Sequence, residues 1–309
     1  MSCPVCRKQY WEYIFETKDR MFSVSGLFKI YRCRLCKTTG ILPQPKQEIL
    51  VKHYSAESYY SYSANNYKSI FGRLRSYAIS LLYDNSWFSW LVSILIQVPA
   101  MPDRVRNGKI LDIGCGSGET LAQLQSIGWL GYGLDIDKKA IINARKLGVL
   151  NASLGSHKDI VKYKNSMFDA IRLYHVIEHI SDPREALALI KKKLKPGGQL
   201  IIGTPNSASL LARLSRSFWY NLDCPRHLFI FSPESLNKLL WEFGFLNLRI
   251  KYISAGGIVG TIQYLLEQVF FRKIDLINRV WIVLLFYPLE RIIDFLKVGD
   301  IFVTYARKQ

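Results

Sequence analysis

Residues 110–118 read Ile-Leu-Asp-Ile-Gly-Cys-Gly-Ser-Gly, an apolar run that ends beside an acid and is followed by three glycines at alternate positions. The pattern predicts a buried strand that stops in a tight turn and opens a helix. Glycines at such a turn let a ligand lie close against the backbone. The spacing that seats a pyrophosphate on a helix N-terminus is G-x-G-x-x-G. Here it is G-x-G-x-G, with Asp112 two residues before Gly114. A carboxylate at that point repels phosphate and attracts a cation, which argues against a nicotinamide dinucleotide and for a positively charged ligand.

From Lys109 onward strand and helix patterns alternate, the signature of a parallel α/β sheet. Strands are expected at 109–113, 129–135, 151–154, 170–175, 199–204, 246–254 and 301–306, with Lys195-Pro196-Gly197-Gly198 as the turn into the fifth. Asp137 and the pair Asp182-Pro183 have the chemistry of helix N-caps. Between the sixth and seventh strands a tight hairpin would suffice, yet two apolar helical segments intervene, near 258–272 and 276–297. In the second, Glu290, Arg291, Asp294 and Lys297 fall on one face and the rest is apolar, which makes 258–297 an amphipathic insertion. Residues 43–108 read as a helical linker or lid, with a Tyr/Ser-rich patch at 54–67 and an apolar run at 87–101. No run of about 18 apolar residues suggests a spanning helix, and no signal peptide is visible at the start.

The series Leu111-Asp112-Ile113-Gly114-Cys115-Gly116-Ser117-Gly118, Gly131-Tyr132-Gly133-Leu134-Asp135, Phe168-Asp169-Ala170-Ile171, His175-Val176-Ile177-Glu178-His179, Leu194-Lys195-Pro196-Gly197-Gly198 and Thr204-Pro205-Asn206 resembles the class I S-adenosylmethionine-dependent methyltransferases in order and spacing. The resemblance implies a Rossmann-like sheet of seven mostly parallel strands, the last antiparallel, with helices on both faces. It also implies S-adenosylmethionine as cofactor. Asp112 would meet its ammonium, Gly114, Cys115, Gly116 and Gly118 its methionine part, Asp135 the ribose hydroxyls, Ser156 and His157 the adenine, and Tyr174 and His175 the sulfonium, with Ile136 a further cofactor-binding residue.

A hydroxyl acceptor must also lose its proton, which calls for a base or a metal. His227, after the fifth strand, is the candidate base, and neighbouring Arg226 is the candidate contact for an anionic substrate group. Their segment resembles a bacterial subfamily associated with surface-polysaccharide and other glycan clusters. His175-Val176-Ile177-Glu178-His179 matches H-x-x-E-H, but it leaves a strand instead of sitting on a helix, so a zinc peptidase is excluded. In the ubiquinone-type O-methyltransferases a similar E-x-x-E-H segment is associated with a divalent metal, which implies a second metal at His175, Glu178 and His179. Cys224 precedes a proline instead of following one, unlike the nucleophile of cytosine-5 methyltransferases.

Cys3-x-x-Cys6 and Cys33-x-x-Cys36 have the spacing of two zinc knuckles, filled entirely by protein and therefore structural. Residues 1–42 are accordingly expected to form a hairpin-like zinc ribbon, a module similar to those that precede the methyltransferase domain in related bacterial enzymes. The cysteine pattern suits a reducing, cytoplasmic compartment. The net charge of +18 favours anionic partners without choosing among them. The expectation is methyl transfer to a small-molecule, sugar or lipid-linked glycan acceptor, with 258–297 in peripheral contact with the anionic inner membrane face. The alternatives are an RNA methyltransferase that uses the basic surface and the ribbon, and a non-catalytic binding protein that keeps the fold.

Overall fold

The computed structural model describes residues 1–54 and 100–309. Residues 55–67 of the Tyr/Ser-rich patch and 87–99 of the apolar run lie outside the described residues. Seven strands form one sheet: β4 (Lys109–Ile113), β5 (Leu130–Asp135), β6 (Asn151–Leu154), β7 (Phe168–Tyr174), β8 (Leu194–Pro205), β10 (Phe245–Tyr252) and β11 (Ile301–Lys308). Their order is β10-β11-β8-β7-β4-β5-β6. Neighbours are parallel from β6 to β8, while β11 is antiparallel to both β8 and β10. Strand β10 therefore points the same way as the other five. The chain winds away from β4 in both directions, through β5 on one side and β7 on the other. The carboxyl edge there is the usual ligand crevice of an open α/β sheet.

Alternate residues of β4 serve two cores. Leu111 packs with Ile171, Leu187 and Leu239 on one face, and Ile110 packs with Leu121, Leu124 and Ile141 on the other. Each such buried side chain contributes about 1.5–3 kcal/mol by leaving water. The helices end as their capping chemistry dictates. Asp137 accepts from the Lys139 amide, and Asp182 accepts from the amides of Arg184 and Glu185 with Pro183 in the first turn. Most strand boundaries move by one or two residues, and the fifth strand by more. Lys195–Gly198 fall within β8 but loop out of its ladder with β7 between Leu194 and Gln199, with Gly197 at positive φ and Lys195 paired to Asp169 at 2.7 Å.

The N-terminal cysteine unit shares its sheet with a strand from the larger domain. Strands β1 (Trp11–Thr17), β2 (Phe28–Cys33) and β3 (Thr39–Ile41) form a meander, and its fourth strand is β9 (Phe229–Ile230), from the loop after β8. Cys3, Val5, Cys33 and Cys36 pack in the same core cluster as Leu111. Arg184, at the start of helix Pro183–Lys193, donates to the Pro4 carbonyl at 3.0 Å. A hairpin sheet this small buries too little alone, so it leans on the larger domain.

The insertion between β10 and β11 folds into helices Gly257–Phe270 and Val280–Phe295. The second turns Glu290, Ile293 and Asp294 most deeply inward. Glu290 is buried and accepts from the amides of Gly256 and Ile258, and Asp294 accepts from the amide and hydroxyl of Ser254. Among the described residues, no helix is long and apolar enough to cross a membrane.

Candidate functional site

The carboxyl ends of β6, β5, β4 and β7 stand side by side, and they gather most of the residues expected to hold a cofactor. After β4 the chain turns through Gly114, Gly116 and Gly118, all at positive φ. A Cβ on Gly114 would sit 2.3 Å from Val176 Cγ2, and one on Gly118 would sit 2.7 Å from Ala144 Cβ. Those two glycines are demanded by packing. Gly116 differs, because a Cβ there meets nothing within 4 Å. The middle of the turn faces open space, as a ligand-cradling backbone must.

Asp112 is buried in β4, directly in register with Arg172 of β7. The Arg172 guanidinium donates to Asp112 Oδ2 at 2.7 Å and to the Ala100 carbonyl at 3.1 Å. Asp112 Oδ1 is buried with no partner among the described residues. Burial outweighs the Arg172 charge and lifts the Asp112 carboxyl above its ordinary range. Asp135 is raised as well, burial again exceeding the pull of its hydrogen bonds. Its two oxygens accept from the amides of Gly116, at 2.8 Å, and Asp137, at 2.9 Å. Asp135 thus shapes the glycine turn as well as ending β5. Beside it Ile136 stands 73% exposed, an apolar surface of the kind a purine ring covers.

Several expected contacts are spent elsewhere. The Cys115 side chain packs inward against Gly133, so only its backbone remains for a ligand. Ser156 caps the short helix His157–Lys162 and closes a capping box with Asp159. His157 is half-buried, and burial lowers its pKa. Tyr174 stands edge-on to His175 with ring centroids 4.7 Å apart, at the end of β7.

Arg226 does not await an anionic substrate. It is buried, and its guanidinium is fully engaged by Asp19 of the ribbon, Asp223 and the His53 carbonyl. His227 is buried too and does not face an open crevice as a free base would. Its Nδ1 donates to the Asn221 carbonyl at 3.0 Å, and its Nε2 lies 3.7 Å from Asp223 and 4.0 Å from Glu178. Burial first, and His179 second, lower its pKa to about 4. A neutral imidazole with its Nδ1 proton tied to a carbonyl keeps an Nε2 lone pair, which is how a metal-ligating histidine is held.

The expected metal set changes accordingly. Ligand atoms of Glu178, His179 and His227 lie within 4.8 Å of one another. His175 only hydrogen-bonds Glu178 Oε1, at 3.2 Å, so His227 takes the place assigned to it. His179 Nδ1 donates to the Arg226 carbonyl at 3.0 Å, and Tyr54 OH lies 2.9 Å from the same nitrogen. The Thr204 hydroxyl donates to Glu178 Oε2 at 3.0 Å. Burial would lift the Glu178 carboxyl, but the His175 hydrogen bond and the surrounding imidazoles hold it at about 2. One carboxylate and two imidazoles, each imidazole braced by a carbonyl, are a fitting donor set for a divalent ion. His227, which the sequence offers as a base, is instead the third candidate ligand of this centre. Arg172 was missed, although an arginine inside the apolar strand Phe168–Tyr174 demands a buried carboxylate.

The four N-terminal cysteines converge. Cys3 and Cys36 sulfurs are 3.3 Å apart and those of Cys6 and Cys33 are 3.4 Å apart, with all four ligand atoms within 4.8 Å. A zinc tetrathiolate with bonds of about 2.3 Å spaces its sulfurs by roughly 3.8 Å, so the cluster fits one ion. The hydrogen bond from Cys3 outweighs burial and lowers the Cys36 thiol to about 5.

The family model described as a methyltransferase domain matches residues 94–250. Among curated proteins, the mitochondrial ubiquinone biosynthesis O-methyltransferase of Schizosaccharomyces pombe is 33% identical over 112 residues, 34% of this chain and 40% of that protein. The ubiquinone biosynthesis O-methyltransferase of Thiobacillus denitrificans is 30% identical over 103 residues, 32% of this chain and 44% of that one. The chain therefore spans less than half the length of these two relatives. Among solved structures, a SAM-dependent methyltransferase from Archaeoglobus fulgidus aligns with 75% of this chain and 99% of its own, at 23% identity and a TM-score of 0.48.

Proposed function

The chain belongs to the methyltransferase-domain family, and from that membership we propose that it moves the methyl group of S-adenosylmethionine to an oxygen of a small, sugar or lipid-linked glycan acceptor. The observation that carries the donor half is the open face of Gly116 set over two buried carboxylates. Asp112 keeps one oxygen without a partner among the described residues, and both acids are lifted by burial. A cationic ligand relieves such a site and a phosphate aggravates it. Asp112 and the glycine turn bind the methionine part, Asp135 accepts from the ribose hydroxyls with its remaining lone pairs, and Ile136 covers the adenine. Transfer from a sulfonium needs alignment above all, so these residues act by holding the donor still.

The acceptor half rests on Glu178, His179 and His227. With a pKa near 4, His227 is a poor base at neutral pH, and its role in this reading is to donate a lone pair. These three residues would hold a divalent ion, which supplies Lewis acidity that lowers the pKa of a bound hydroxyl. His175 and Thr204 orient Glu178, and the carbonyls of Arg226 and Asn221 orient the two imidazoles. Cys3, Cys6, Cys33 and Cys36 hold one structural zinc, and the protein works in the cytoplasm.

Calorimetry with S-adenosylhomocysteine and with NAD tests the donor assignment. Binding of the first and not the second is expected, and binding of NAD alone overturns it. Native mass spectrometry reads the ribbon, where about one zinc per chain is expected. A gel shift with total tRNA at physiological salt should show no complex, since RNA methylation would demand one.

A further inference from the structure

The insertion helix Val280–Phe295 is apolar on both faces, with two acids on the inward one. An amphipathic helix on a protein normally buries its apolar stripe. Here the inward face carries Ile282, Val283, Phe286 and Ile293 together with Glu290 and Asp294, the two acids clamped to the turn at Ser254–Ile258. The outward face carries Trp281, Leu284, Leu285, Leu289, Ile292 and Phe295, the last 85% exposed. Phe270 and Phe271, at the end of the preceding helix, are exposed as well. Contiguous apolar surface on this scale marks an interaction site.

The surroundings select the occupant. The exposed charges between 265 and 297 are the cations Arg272, Lys273, Arg279 and Lys297 against the single acid Asp275, because Glu290 and Asp294 are buried and Glu267 is mostly covered. From Val280 to Leu296 every exposed side chain is apolar, so the Trp281 ring N–H is the lone hydrogen-bonding group among the exposed side chains of that stretch. A protein interface of similar extent would carry about one hydrogen bond per 100–200 Å². An apolar face with Trp and Phe, rimmed by cations and attached to a helix too short to span, suits the interface plane of an anionic bilayer. We propose that the helices Gly257–Phe270 and Val280–Phe295 seat the protein on an anionic lipid surface, apolar face down. This goes beyond the methyl-transfer reading and does not depend on it.

Co-sedimentation of the full chain with vesicles tests the surface directly. Vesicles of phosphatidylglycerol and phosphatidylcholine should pellet at least ten times more protein than phosphatidylcholine alone, and added salt should erode the difference. The pair Leu284→Glu and Leu285→Glu sits on the outward face. It should abolish pelleting while thermal unfolding and S-adenosylhomocysteine affinity stay unchanged. Arg272→Gln, Arg279→Gln and Lys297→Gln together should remove the preference for phosphatidylglycerol. No pelleting by either vesicle overturns the proposal. So does a lipid-free dimer that the Leu284/Leu285 pair dissociates, since the occupant would then be a second copy. Loss of S-adenosylhomocysteine binding by the wild-type chain would sink the methyl-donor reading and leave this one standing.

Discussion

The glycine turn and the imidazole cluster both sit at carboxyl ends of strands, and both hold buried carboxylates, yet their electrostatics have opposite signs. At the turn, Asp112 and Asp135 are lifted by burial despite Arg172 and the backbone amides. At the cluster, Glu178 is buried just as deeply but is held at about 2 by its imidazole neighbours. In the first region burial dominates the two carboxylates, whereas in the second the His175 hydrogen bond, the imidazoles and the Thr204 hydroxyl stabilise the one carboxylate. The first site carries its desolvation cost in the free protein, whereas in the second the hydrogen bonds to Glu178 and from the Nδ1 atoms of His179 and His227 hold the donor geometry in advance.

The largest expected effect breaks the first region. Arg172→Met strands Asp112 as an unpaired buried charge, and urea denaturation should show a loss of about 3–5 kcal/mol. Adding Asp112→Leu should restore most of that stability, while calorimetry shows that donor binding stays lost.

The second prediction uses acid. His227 titrates near 4 in the fold against about 6.5 in the unfolded chain, so its contribution is complete above pH 6.5 and disappears as pH falls toward 4. Glu178, depressed to about 2, extends the loss below pH 4.5. The raised Asp112 and Asp135 work the other way, their cost easing as pH falls through their elevated pKa values. Equilibrium unfolding at several pH values should show a net decline from pH 6.5 to 4. His227→Asn should flatten it by up to roughly 3 kcal/mol. An unchanged profile in that variant would remove His227 from the account.

Two glycine substitutions sharpen the contrast on a finer scale. Gly114→Ala drives a methyl into Val176 at a positive φ and should cost about 1–3 kcal/mol in stability. Val176→Ala in the same chain should relieve the clash. Gly116→Ala meets no neighbour and should cost less in folding. Because it fills the open face, it should weaken S-adenosylhomocysteine binding about tenfold, roughly 1.4 kcal/mol, by calorimetry.

These two regions also differ in how well a reader of the sequence could see them. The turn is local: acid, glycines, strand and helix follow one another in nine residues, so spacing alone predicts its shape. The cluster is assembled from β7, the β8 end and the loop before β9. The substitution of His227 for His175 as the third candidate ligand depends on how those segments meet. Arg226 illustrates the same limit, since its partner Asp19 lies in the ribbon, far away in the chain. The insertion shows a different one. Periodicity correctly placed Glu290 and Asp294 on one face of a helix. It cannot tell which of two apolar faces meets the protein, and here the face that carries two carboxylates bound to backbone amides is the one turned inward.

The pairing of Gly40 with Phe229 has a consequence for the order of assembly. The two partners are roughly 190 residues apart, a long loop to close. During synthesis the cysteine-bearing start of the chain emerges while most of the β4–β8 sheet is still unmade. Its edge strand β3 must wait for β9 with its backbone unpaired, and an exposed edge is a hazard for misassembly. A metal captured early by the four thiolates would hold that meander in register during the wait, so zinc supply would govern the yield of folded protein before it governed anything about the finished one.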